Sequence, residues 1–193
     1  MSFIHTIPPE QASGELLEMY QRQQAHFGYL PNYARIFCHR PEVLARWAAL
    51  LAAIRRHVEP RRFELVTLAA AQALGNAYCS LAHGKALAEL LGTESVQAIV
   101  DDTEPNPLTA AERAMMAFAR QVAHDASNVT ASDVDRLHSH GFADDEIFDI
   151  VAVAAGRAFL TKILDGLGAE VDSALLEMDA ELREVLIWGR SVS

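Results

Sequence analysis

The stretch Glu64-Leu-Val-Thr-Leu-Ala-Ala-Ala-Gln-Ala-Leu-Gly-Asn-Ala-Tyr-Cys79-Ser-Leu-Ala-His83-Gly84 decides the reading of this chain. Phe63, Val66, Ala70 and Leu74 recur through it at helical spacing, which predicts a helix opened by Pro60 with Glu64 near its start. Gly75-Asn76 interrupts that pattern. Asn76 is suited to cap a second helix, which puts Cys79 at its third position and His83 one turn later; Ala86, Leu87, Leu90 and Leu91 carry it on to Gly92. A cysteine and a histidine four residues apart on one helix share a face, so thiol and imidazole are stacked, with the Glu64 carboxyl supplied by the helix before. A single helix running unbroken through Asn76 is the competing reading.

The same periodicity extends in both directions and makes the chain all-α. Upstream, Glu10 to Ala25 places Leu16, Leu17 and Tyr20 on one side before Gly28, and Pro31–Phe37 and Pro41 to about Arg56 read as further helices. Downstream, the acidic segment Asp101 to Leu108, with Pro105 and Pro107, is the expected connection between two halves. Thr109-Ala-Ala-Glu112 is a capping-box pattern opening a helix with Met115, Met116, Phe118 and Val122. Thr130-Ala-Ser-Asp133 starts a short helix ending near Gly141, and Asp144 or Asp145 starts a long apolar one through Ile150, Val153, Ala154 and Phe159 to Gly166-Leu-Gly168. Val171 to Trp188 alternates at helical spacing and is free to cross onto a neighbouring subunit. Residues 1–193 are thus expected to form a single all-helical domain, with a core motif at about 60–92 and a related second half at about 109–168.

Composition narrows the function. Sixteen Lys and Arg stand against 26 Asp and Glu, a formal charge of -10, which disfavours nucleic acid and anionic membrane surfaces as partners. The two cysteines, the absence of a basic-then-apolar leader pattern and the lack of a long uncharged apolar run suggest a soluble, reducing, cytoplasmic setting. No dinucleotide fingerprint and no metal-ligand spacing is visible, so neither cofactor nor metal is expected; His124, His138 and His140 read as surface histidines. Arg55, Arg56, His57, Arg61 and Arg62 form the one basic concentration, and one of these arginines is a candidate to face the pocket.

Glu64, Asn76, Tyr78-Cys79 and His83-Gly84 together resemble the signature of the alkylhydroperoxidase D-like members of the carboxymuconolactone decarboxylase family. Pro31-Asn32, Arg40-Pro-Glu-Val-Leu and the region from Leu108-Thr109 to Gly166 resemble its peroxidase-related subgroup, so the resemblance spans most of the chain and implies an alkylhydroperoxidase D-like helical fold. In the alkylhydroperoxidase D type a Cys-x-x-Cys pair precedes the histidine; the later cysteine attacks peroxide and the earlier resolves the sulfenic acid as a disulfide. Here Cys79 matches the attacking position. Asn76 stands at the resolving position and Tyr78 where that type has a relay histidine, so the built-in disulfide route and one relay link are missing. The resemblance also implies a homo-oligomer, a trimer or hexamer.

Three functions follow. A thiol-dependent peroxidase would use Cys79 as nucleophile on hydrogen peroxide or a small organic hydroperoxide, with His83 moving the proton and Glu64 orienting the imidazole. Its sulfenic acid would be reduced by an external thiol, a protein reductant or Cys38. A decarboxylase-like acid–base enzyme would need His83 and Glu64 but not Cys79. A non-catalytic oligomeric stress protein would bury Cys79 as core. For single residues the bland readings are a core thiol for Cys79 and Cys38, a helix-end charge or a partner of Arg61 for Glu64, an outward hydroxyl for Tyr78 as against a bond to bound substrate, a cap for Asn76, and close helix packing for Gly84.

Overall fold

Proline and cap residues set where the chain turns helical. The computed structural model describes residues 2–190 and residue 192. Its helices are α1 (Gly14–Phe27), α2 (Asn32–Ile36), α3 (Pro41–Arg55), α4 (Pro60–Ala73), α5 (Ala77–Leu91), α6 (Thr93–Asp101), α7 (Ala110–Asp125), α8 (Ala131–Ser139), α9 (Asp144–Gly166), α10 (Ser173–Leu176) and α11 (Ala180–Leu186). Among the described residues there is no strand, and a lone bridge joins Asn76 to Gly189. The architecture is all-α.

The caps explain these boundaries. Glu59 accepts from the amides of Arg61 and Arg62, both at 3.1 Å, and fixes the start of α4 behind Pro60. Asn76 Oδ1 accepts from the Cys79 amide at 2.8 Å, so α4 and α5 are two helices and not one. Thr109 and Glu112 form the reciprocal capping box of α7, and Thr130 with Asp133 does the same for α8. Two expectations shift. The helix expected from Glu10 begins at Gly14, because Ala12 and Ser13 are extended and leave Pro9–Gln11 as a separate 3-10 turn. α6 was not anticipated: its nine residues follow Gly92 directly, and Val96 and Ile99 are the buried signal of its inner face.

Position in the bundle follows from where apolar faces can be buried. α4 has buried residues around its whole circumference and packs on α5, α7 and α9. One core cluster joins Phe63, Val66 and Ala70 of α4 to Met115, Met116 and Phe118 of α7 and to Ile150, Val153 and Ala154 of α9, so it draws on both sides of the 101–108 connection. A second cluster gathers Leu16, Met19, Tyr20, Phe37 and Cys38 with Tyr78, Cys79, Leu160 and Leu164. Cys79 therefore sits where the N-terminal helices close over α5 and α9.

In the C-terminal segment, α11 folds back on α5 and α6 of its own chain, and Leu186 becomes fully buried. Gly84 makes this approach feasible, since a Cβ there would lie 2.4 Å from both Leu186 methyl carbons. Gly84→Ala is expected to destabilise the protein by about 1–3 kcal/mol through overpacking. Thermal denaturation should show a lower midpoint, and combining it with Leu186→Ala should cost less than the sum of the two single changes. Strict additivity would show that the two residues do not press on each other.

Candidate active site

α4, α5 and α9 bring the chemistry together. Glu64 lies in the first turns of α4, is 5% exposed, and its Oε2 accepts from His83 Nδ1 at 2.6 Å. The Arg55 guanidinium, at the end of α3 and largely in solvent, stands 3.9 Å from Glu64 Oε1. Arg61, the partner proposed for Glu64, instead pairs with Glu112 at 2.5 Å. Burial pushes the Glu64 carboxyl up, but the hydrogen bond and charge of His83 with the cations Arg157 and Arg55 outweigh it and leave the carboxyl below its usual range. Burial, aided by Arg157, holds His83 below its usual value against the pull of Glu64. At neutral pH the pair is thus a carboxylate beside a neutral imidazole. With Nδ1–H donated to Glu64, Nε2 carries the free lone pair.

Cys79 shares α5 with His83, so the two side chains rise from one face with about 6 Å between their Cβ atoms. The helix-start amides near Cys79 do not make its thiol acidic. Cys79 is fully enclosed, and burial pushes its thiol up to about 12; the charge of Arg157 pulls it down and that of Asp165 pushes it up. The dipole of the first turn is outweighed because no water reaches the sulfur to solvate a thiolate. Cys38 is a second free, buried thiol in the same cluster, where its Sγ accepts from the Ile7 amide at 3.4 Å.

Tyr78 does not pack with its hydroxyl outward. Its hydroxyl points inward and donates to Asp172 Oδ2, while the Tyr33 amide donates to the phenol oxygen at 3.4 Å. Asp172 also accepts from the Asn32 amide at 2.7 Å and the Tyr29 hydroxyl at 3.3 Å. Burial and this carboxylate push the Tyr78 phenol far up, so it stays protonated. A cleft of about 400 Å³ opens beside the first turn of α5; Asn76, Tyr78, Asp165 and Arg190 line it.

Two residues in the site were missed by the sequence reading. Arg157 projects from α9, is 7% exposed, and acts electrostatically on Cys79, Glu64 and Tyr33. Its signal was available: an arginine on the inner face of a helix otherwise lined by Ile150, Val153, Ala154 and Leu160. Asp172 had no such signal, because an acid before a short terminal helix reads as an ordinary cap. His124, His138 and His140 are exposed, and His138 pairs with Asp144 at 3.3 Å. Among the described residues no three His, Cys, Asp or Glu side chains gather as a metal site requires, and no helix is long and apolar enough to cross a membrane.

Known proteins fit this architecture. No curated protein matches the chain. Among solved structures, an uncharacterized peroxidase-related protein from Ralstonia eutropha JMP134, described as an alkylhydroperoxidase AhpD core, superposes with a TM-score of 0.79 at 21% identity, covering 92% of this chain and 95% of that one. A peroxidase-related protein from Silicibacter sp. TM1040 gives 0.78 at 20% identity over 92% and 95% of the two chains. A cysteine-to-alanine variant of the debrominase Bmp8, in complex with 2,3,4-tribromopyrrole, gives 0.74 at 18% identity over 96% and 100%. The chain has the alkylhydroperoxidase D-like helical fold, and its residues 41–121 match the carboxymuconolactone decarboxylase family.

Proposed function

We propose that this protein is a single-cysteine, thiol-dependent peroxidase acting on hydrogen peroxide or small organic hydroperoxides, with Cys79 as nucleophile and the Glu64–His83 pair as its proton carrier. The observation that carries this reading is the placement of Cys79 one turn before a neutral imidazole that Glu64 holds by Nδ1 at 2.6 Å. His83 Nε2 takes the thiol proton. The thiolate sulfur then attacks one peroxide oxygen: an S–O bond forms, the O–O bond breaks, and its electron pair leaves on the alkoxide, which takes the proton back from His83. Sulfur is oxidised to sulfenic acid, which keeps one peroxide oxygen, and the other leaves as the alcohol, or as water when the substrate is hydrogen peroxide. An external thiol or a protein reductant returns Cys79 to the thiol, with Cys38 as the intramolecular candidate. Asn76 and Tyr78 act by holding the first turn of α5 in place.

The test is peroxide-dependent oxidation of Cys79, followed by mass spectrometry with tert-butyl hydroperoxide in a Cys38→Ser background. Cys79→Ser is expected to lower peroxide consumption at least about a hundredfold while the protein stays folded. With the thiol half-point near 12, the thiolate fraction rises about tenfold per pH unit below it, so the oxidation rate should climb steadily from pH 7 to 10. A plateau near pH 8.5 would mean that the sulfur is not held by burial. Because the debrominase Bmp8 shares the fold, 2,3,4-tribromopyrrole belongs beside the peroxides as a substrate for the same sulfur.

A second reading has its own support. The Glu64–His83 pair is assembled without any hydrogen bond to Cys79, and His83 keeps 18% of its side chain exposed while the sulfur is enclosed. That arrangement suits a carboxymuconolactone decarboxylase-like acid–base enzyme, which would retain its activity in Cys79→Ser. Under either reading we take the protein to be a homo-oligomer. α9 is apolar even on its outer side, where Phe148 (69% exposed), Ala155 and Phe159 (43% exposed) form a stripe at helical spacing. Light scattering should find a trimer or hexamer, and Phe148→Glu with Phe159→Glu should reduce its mass. A monomeric parent protein would remove this proposal.

A further inference from the structure

We propose that Arg157 is the counter-cation of the Cys79 thiolate, the group whose positive charge makes that enclosed sulfur nucleophilic; the proposal rests on the reading of Cys79 as the reacting atom.

Helix geometry puts Arg157 on the face of α9 that packs toward Cys79. Arg157, Leu160 and Leu164 recur at i, i+3 and i+7 on α9, and Leu160 and Leu164 pack in the cluster that holds Cys79, Ala71 and Tyr78. Aromatic neighbours hold the guanidinium in place. Its carbon lies 5.2 Å from the centroid of the Phe63 ring and 5.6 Å from that of Trp47, and the Trp47 indole N–H is fixed to the Gly156 carbonyl at 2.9 Å.

What this cation lacks is an anion. Buried charges are ordinarily paired, because an unpaired one forfeits its hydration with nothing in return. Yet Arg157 Nε is buried without a hydrogen-bond partner, and among the described residues no carboxylate stands within salt-bridge distance of Arg157. Glu64 is engaged by His83 at 2.6 Å and Arg55 at 3.9 Å. With His83 neutral, two guanidinium groups face one carboxylate, and Asp165 is the other acid whose charge reaches the sulfur. One more negative charge balances Arg157, Arg55 and Glu64, while Asp165 opposes it from farther along α9. Ionised Cys79 provides it, and Arg157 already opposes the effect of burial on that thiol. Losing the proton by way of His83 to solvent therefore places the new charge near a cation whose desolvation was settled on folding.

The experiment uses the Cys38→Ser protein, in which Cys79 is the sole cysteine. Its reaction with methyl methanethiosulfonate, a small neutral thiol probe, is timed from pH 7 to 10 in the parent, Arg157→Lys and Arg157→Met proteins. Arg157→Met is expected to react at least about tenfold more slowly at every pH, the equivalent of a thiol half-point raised by about one unit. Arg157→Lys, which keeps the charge, should stay within about threefold of the parent. A merely structural arginine gives the opposite sign, since its loss loosens the core and speeds access to the sulfur. If Arg157→Met does not fold, Arg157→Gln is read in its place. An unchanged or faster reaction in the folded neutral variant overturns the proposal.

Peroxide consumption by the parent protein separates this from the functional reading. Arg157-dependent modification in a protein that ignores peroxide keeps the counter-cation and removes the peroxidase. Peroxide reduction with no dependence on Arg157 does the reverse.

Discussion

Glu64→Ala is expected to lower stability by about 2–4 kcal/mol, the cost of leaving a buried donor without its acceptor and of opening a cavity in a core helix. The change leaves the His83 Nδ1–H without its acceptor at 2.6 Å, removes the negative charge that Arg157 and Arg55 act on, and opens a void in a helix that is buried on all sides. Urea denaturation should show a lower midpoint with an unchanged slope. Glu64→Gln keeps the volume and one acceptor, and should cost roughly half as much.

The pH dependence fixes the cause. Glu64 has a folded value below its ordinary 4.5, so its contribution is complete above the unfolded value and is lost as pH falls through the lower folded one. The gap between parent and Glu64→Ala should therefore be constant at neutral pH and narrow under acid. A gap that persists undiminished below that range would assign the loss to packing and not to charge.

Asp172→Ala is the second large effect, at about 2–4 kcal/mol. This buried carboxylate collects the Tyr78 hydroxyl, the Tyr29 hydroxyl at 3.3 Å and the Asn32 amide at 2.7 Å, and its removal leaves enclosed donors unsatisfied. It also ties the chain after α9 to the start of α2 and to the residue next to Cys79. Thermal denaturation should register the loss of stability. Modification of Cys79 by a small thiol reagent should become faster, because Tyr78 and the N-terminal helices no longer close firmly over the sulfur. Unchanged Cys79 reactivity in a clearly destabilised Asp172→Ala would show that the lid over the thiol is held by other contacts.

These residues mark how far a linear reading reaches. The α4–α5 break was legible because Gly75 and Asn76 act on their own neighbours: one supplies a positive φ of 66°, the other a side-chain acceptor for an amide three residues on. The capping boxes at Thr109 and Thr130 were legible for the same reason. α6 escaped because Gly92 ends one helix and caps the next with no intervening loop to announce it. The pairing of Glu64 with His83 was legible as a spacing, but its length of 2.6 Å and its buried setting were not.

Arg157 and Asp172 show the limit most clearly. Arg157 lies 78 positions from Cys79 and Asp172 lies 94 from Tyr78, and no rule of period or spacing links residues so distant. Sequence alone determined most of the helices, the caps at Asn76, Thr109 and Thr130, and the placing of Cys79 and His83 on one face, since each depends on hydrogen bonds and packing within a few residues. The tertiary structure alone decided that the thiol is enclosed and raised to about 12, that Tyr78 turns inward, and that Arg157, its Nε without a hydrogen-bond partner, comes within electrostatic reach of Cys79 and Glu64. Those outcomes are set by desolvation and by charges carried in from distant helices, quantities that come into being only when the bundle closes.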